Sequence, residues 1–217
     1  MAQRTIHYLI GEELIAQGGI RDVDRFRVGN LLPDAIAGLR WRDLTHFQRR
    51  FLQNGRERKY SDFEEFRREF SEKVENDDLY LGYYMHLVED SCYRMLWREY
   101  GLWQKIKTEA DVEILHQDYH LLNAAIVRRW GIRDELVYPA KFEAEPINRI
   151  YPFLLREFLE EMRGDFTEDP AGEMRIISEA FVERYVAEYL DVCRGALRRL
   201  LAGDAPLDPK SLSWVMA

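Results

Sequence analysis

The stretch LYLGYYMHLVEDSCYRMLWREY, residues 79–100, decides the reading of this chain. Apolar and aromatic side chains surround most of its helical circumference, so it reads as a long helix buried at the centre of a domain. Its polar residues then need partners. His86 and Asp90 stand one helical turn apart on one face, with Gly82 and Tyr83 a turn earlier, and a glycine there lets another backbone or a ligand approach. A charged Asp90 in such surroundings is costly unless a cation pairs with it.

Helical periodicity continues on both sides of this segment. Ile6, Leu9, Ile10 and Leu14 recur at three- and four-residue spacing from Thr5 to Gln17, and Gly18-Gly19 ends the pattern. Residues 29–47 contain Gly29, Asn30 and Pro33 and read as a short helix with ordered loops. Ser61-Asp62-Phe63-Glu64 has the form of a capping box opening a helix to Val74. Thr108 caps a helix whose stripe of Val112, Leu115, Tyr119, Leu122, Ile126 and Trp130 ends before Gly131. Two further helices are expected, from Pro146 to Arg163 and from Glu173 to Leu201. No hairpin pattern or repeat stands out, so the expected architecture is all-α, a bundle of six to eight helices. A single domain over residues 1–205 is expected, with an extended, partly ordered tail at 206–217.

Composition narrows the function. The chain has 217 residues, 47% of them hydrophobic, enough for one core without disulfides. Its 39 acidic and 31 basic residues give a net charge of −8 and are interspersed, which argues against bulk binding to nucleic acid or anionic membranes. The two cysteines, Cys92 and Cys193, lie in apolar helical segments and suggest no disulfide framework. No apolar run reaches the ~18 residues of a membrane span, and residues 1–7 lack a secretory apolar core. A cytoplasmic location is expected, with a homodimer a further expectation from the aromatic-rich composition.

All five histidines, His7, His46, His86, His116 and His120, sit in or beside apolar helical segments. Taken singly, each has a bland explanation: a satisfied core histidine at position 7, a turn residue at Asp34 after Pro33, a helical pair at His86 and Asp90. Taken in order, His7, Asp34, His46, His86 and Asp90 supply nitrogen and oxygen ligands sufficient for a dinuclear site.

At these residues the chain resembles the zinc-dependent phospholipase C and S1/P1 nuclease superfamily. The likeness rests on Thr5-Ile6-His7, Gly29-Asn30-Leu31-Leu32-Pro33-Asp34, Thr45-His46-Phe47 and the segment Leu81 to Asp90, and spans residues 5–125. The resemblance implies a metal-dependent phosphoesterase acting on a small phosphate ester, with two or three zinc ions, iron or manganese being alternatives. It implies that Asp34, His46, His86 and Asp90 surround one ion and that His7 and Asp90 hold a second. Asp34 is the candidate to orient or deprotonate the attacking water. His116 and His120 form either a further ligand pair or part of a helix flank. Arg4, Arg40 and Arg42 are candidates to hold phosphate oxygens. An HD-type phosphohydrolase lacks its His-Asp dipeptide here, and a ferritin-like site has only Glu113-Ile-Leu-His116. The competing reading is a helical binding or scaffold protein that keeps these residues as a buried polar network without turnover.

Overall fold

The computed structural model describes residues 3–216. The chain is mostly helical: α1 (Arg4–Gln17), α2 (Val23–Leu31), α3 (Arg42–Thr45), α4 (Phe63–Glu69), α5 (Ser71–Asn76), α6 (Asp78–Glu99), α7 (Glu109–Trp130), α8 (Leu155–Thr167) and α9 (Glu179–Ala202). A small antiparallel sheet of β1 (Gln48–Gln53), β2 (Arg56–Ser61) and β3 (Trp214–Val215), in that order, lies beside them. No helix among the described residues is long and apolar enough to cross a membrane. Cys92 and Cys193 are free and buried.

Helix α6 is the central element. Every residue from Asp78 to Tyr93 is buried, as its unbroken apolar girdle requires. Helix α2 crosses it at backbone contact distance. A Cβ built on Gly29 would lie 1.9 Å from the Leu79 carbonyl oxygen, and one on Gly82 would lie 2.3 Å from that of Phe26. The two helices are tied at one end by adjacent aspartates. Asp78 accepts from the backbone N–H groups of Arg21 and Asp22, at 2.9 and 2.6 Å, while Asp77 caps α6 and pairs with Arg25 at 2.7 Å. Helices α1, α7 and α9 close the core around this pair.

Several boundaries differ from the sequence expectation, each for a local reason. Gly29 and Asn30 continue α2 because Leu79 packs against the glycine, and the break comes only at the 3-10 turn Leu32–Asp34. The cap of α4 is Asp62, which accepts from Glu65 N at 2.9 Å, while Ser61 belongs to β2. The helix expected from Pro146 is two separate elements, a 3-10 turn over Pro146–Arg149 and, after the non-helical residues 151–154, α8 from Leu155. Helix α9 starts at Glu179, because the backbone N–H groups of Arg175, Ile176 and Ile177 are held by the buried carboxylate of Asp118.

The hairpin and the tail are the larger corrections. Strands β1 and β2 pair from Gln48↔Ser61 to Gln53↔Arg56, and the tail, expected to be extended and partly ordered, returns to pair Trp214 with Lys59. Trp214 and Leu212 are buried, so apolar burial holds the tail against the hairpin.

Candidate metal centre

Four elements bring His7, Asp34, His46 and His86 to one place although the chain between them is long. His7 faces inward from α1, Asp34 ends the 3-10 turn after α2, His46 follows α3, and His86 lies mid-way along α6. All three histidines are at most 1% exposed. Phe47 adopts a left-handed conformation, φ 49°, which turns the chain out of α3 into β1 directly after His46 and seats the Phe47 ring on Phe66.

The hydrogen bonds fix which ring nitrogen of each histidine faces the others. His86 Nδ1 lies 2.8 Å from the Asn30 carbonyl, and His46 Nδ1 lies 3.1 Å from the Arg42 carbonyl. A carbonyl oxygen only accepts, so each Nδ1 carries the proton and each Nε2 presents a lone pair. Those two Nε2 atoms face each other at 3.1 Å, and Asp34 Oδ1 lies 3.2 Å from that of His46. Three acceptors thus converge with no donor between them. Moving a proton to His46 Nε2 would leave the Arg42 carbonyl facing a bare nitrogen, and adding one would bury an imidazolium. Burial and the Arg42 cation oppose that charge, bringing the His46 pKa down to about 4.

His7 completes the arrangement. Its ring stacks on His86 with centroids 3.8 Å apart, its Nδ1 lies 2.8 Å from Glu89 Oε2, and its Nε2 is buried without a hydrogen-bond partner. Ligand-type atoms of His7, Asp34 and His86 all lie within 4.8 Å of one another. Glu89 also accepts from Asn30 Nδ2 at 2.7 Å. Burial drives the His7 imidazole well below its usual range and the Glu89 carboxyl well above it, so without a cation the pair is neutral. A cation at His7 Nε2 would select the Nδ1–H tautomer and restore the Glu89 carboxylate, the outer partner that metal-binding histidines take. At Asp34, burial alone would raise the pKa. A proton on His46 or His86 and the Arg42 cation act the other way, and the net direction at Asp34 is down.

Asp90 is buried beside this cluster, where its charge acts on His7, His46 and His86, and it accepts from Arg42 Nη2 at 2.8 Å. Arg42 and Arg94 hold Asp90 well below the usual range although burial opposes this. His116 and His120 do not join the buried set. The face of α7 turned inward carries Leu122, Asn123 and Ile126, with Asn123 bonded to Thr5 at 2.6 Å, so His116 and His120 fall on the exposed side. His120 meets Glu168 there at 3.4 Å. Both nevertheless line a surface cavity of about 300 Å³ that also touches Arg4, Tyr119 and Asp34, and so reaches the edge of the cluster. They also line an adjoining cavity of about 640 Å³.

Three further residues take part in this geometry: Asn30 and Glu89, which lie within the segments that carry the resemblance but had no role there, and Arg42, expected only as a phosphate contact. A buried acid three residues after His86 needs a partner, which is the sequence signal that points to Glu89.

The metal-free protein is expected to lose stability as pH falls from about 6.5 toward 4. Histidines in the unfolded chain take up protons near their ordinary value of 6.5, whereas folded His46 does so only near about 4, and His7 and His86 are also lowered. In that window the unfolded state binds more protons, so unfolding becomes easier. Asp34 and Asp90, lowered from 3.8, extend the loss below that value, while Glu89, raised, acts in the opposite direction. Urea midpoints at roughly pH 7, 5.5 and 4 check this, and a flat profile would contradict burial of neutral imidazoles.

No protein-family model, curated protein or solved structure matches the chain.

Proposed function

We propose that the chain is a metal-dependent phosphoesterase, with zinc as the favoured ion, that hydrolyses a small phosphate ester at the His7, Asp34, His46 and His86 cluster. One observation carries the reading: two buried imidazole Nε2 lone pairs face each other at 3.1 Å beside a carboxylate, each histidine being oriented through Nδ1 by a backbone carbonyl. Three acceptors in that arrangement repel one another unless a cation or an added proton lies among them, and burial opposes the proton on His46. The nitrogen and oxygen donor set fits zinc, with iron or manganese as alternatives.

A divalent ion bound there supplies a Lewis acid and makes water acidic enough to react near neutral pH. The residues of the chain supply the rest. His7, His46 and His86 hold the ion, and Glu89 and the carbonyls of Asn30 and Arg42 fix their tautomers. Asp90, buried beside the histidines and paired with Arg42, would add a carboxylate if the ion drew it in. Asp34, ionised and lining the cavity, would orient the attacking water through a carboxylate oxygen. The substrate enters through the cavity past His116 and His120, which stand at its mouth.

The test is metal content and turnover together. Protein purified without chelator is expected to carry at least one equivalent of zinc and to hydrolyse bis(p-nitrophenyl) phosphate or p-nitrophenyl phosphate. Chelation should abolish activity and zinc should restore it, and His86→Ala should lose metal and activity together while its helical circular dichroism persists. A folded wild-type protein that takes up no zinc, iron or manganese would identify the cluster as a polar network without turnover.

A further inference from the structure

Of the three arginines that the sequence offers for phosphate, the structure engages two elsewhere. Arg4 is tied to Asp165 at 2.5 Å and to Glu161 at 2.7 Å, and Arg40 extends over the Trp41 ring, 5.0 Å from its centroid. Arg42 differs. It is 6% exposed and uses Nη2 on Asp90, yet its Nε and Nη1 are buried with no hydrogen-bond partner. Buried guanidinium donors are rarely left unused, and where they are, a missing ligand is the first explanation to test.

A second guanidinium converges on the same carboxylate. Arg94, one helical turn beyond Asp90 on α6, places Nε 3.9 Å from Asp90 Oδ2, and this nitrogen too has no hydrogen-bond partner. Two cations therefore share one oxygen, beside a histidine cluster that itself favours a cation. An added oxyanion would satisfy the free donors and offset the repulsion. The nearest open space is the cavity of about 300 Å³ lined by Asp34, whose charge acts on Arg42.

We infer that Arg42, assisted by Arg94, forms an oxyanion seat that receives the phosphoryl oxygens of the substrate and of the released phosphate, next to the histidine cluster. This rests on the phosphoesterase reading for its role in turnover, but the binding itself does not require a metal. The geometry selects Arg42 over Arg4 and Arg40.

The experiment is calorimetric titration of inorganic phosphate into wild type, Arg42→Gln, Arg42→Lys and Arg94→Gln, each zinc-free and zinc-loaded, with zinc content measured alongside. Wild type is expected to bind phosphate in both states, more tightly with zinc. Arg42→Gln should bind at least about tenfold more weakly in both states while keeping its zinc, as expected for loss of charge-assisted donors. Arg42→Lys keeps the charge but not the fork and should recover only part of the affinity. Arg94→Gln should show a smaller loss. With p-nitrophenyl phosphate as substrate, KM should rise in Arg42→Lys in step with the phosphate constant, as expected when substrate and product use the same seat. Should Arg42→Gln fail to fold, Arg42→Lys and Arg94→Gln decide the matter. Phosphate binding unchanged in these variants, or absent from both forms of the wild type, overturns the inference. A protein that binds phosphate through Arg42 but no metal would overturn the phosphoesterase reading and leave the oxyanion seat standing.

Discussion

Gly82→Ala is expected to destabilise the protein by about 3 kcal/mol or more, a larger effect than most overpacking substitutions produce. The added Cβ would lie 2.3 Å from the Phe26 carbonyl oxygen and 2.7 Å from Asn30 N. Both are helix backbone atoms, so no flexible side chain can give way and α2 must move as a unit. That movement reaches the histidine cluster. Asn30 is the residue whose carbonyl orients His86, at 2.8 Å, and whose side chain holds Glu89, at 2.7 Å. The variant should therefore lose metal affinity as well as stability. Gly195 in α9 provides the control, since a Cβ there meets nothing within 4 Å. Gly195→Ala should stabilise by roughly 0.5–1 kcal/mol through helix propensity. Urea denaturation of the two variants measures both signs. A Gly82→Ala protein within about 1 kcal/mol of wild type would mean that the α2–α6 crossing is looser than the structure has it.

The same crossing marks where sequence reasoning succeeds and where it stops. Helix α6 was legible because a segment with apolar residues all round has one stable position, the middle of a helical core. Gly82 was legible as a point of close approach, but what approaches was not. Gly29 and Asn30 look like helix breakers, and only the Leu79 carbonyl packed on Gly29 shows why a glycine continues α2 there. The hairpin was missed because β1 and β2 are largely exposed and carry charges on both faces, which erases the alternation of a half-buried strand. A signal was present even so: Asn54-Gly55, with φ 52° and 73°, is the two-residue turn that joins antiparallel strands. At the cluster, residue type and order pointed to His7, Asp34, His46 and His86. The Arg42 partnership with Asp90 joins residues 48 positions apart and leaves no local trace. His116 and His120 illustrate the limit of spacing: one turn apart on a helix fixes a shared face but not whether that face looks inward.

Zinc is expected to raise the melting temperature of the metal-free protein by roughly 10 °C at saturating free ion. A ligand at about a thousand times its dissociation constant stabilises the folded state by ~4 kcal/mol, and a chain of this size gains about 2–4 °C per kcal/mol. The physical source is the cluster itself, which holds His46 Nε2, His86 Nε2 and Asp34 Oδ1 in mutual repulsion when no cation is present. His86→Ala removes a central lone pair, so its melting temperature should no longer respond to zinc. Glu89→Gln tests the outer layer. The amide keeps the size of the side chain and can still accept one hydrogen bond, but it cannot become the carboxylate that a metal-bound His7 calls for, so zinc affinity should fall about 10–100-fold. The melting curves of wild type, His86→Ala and Glu89→Gln against free zinc separate the possibilities. A wild-type curve that does not move with zinc, iron or manganese sinks the metal site. A Glu89→Gln curve superposed on that of wild type would show that His7 is oriented by packing on His86, its stacked neighbour at 3.8 Å, and not by the Glu89 carboxylate.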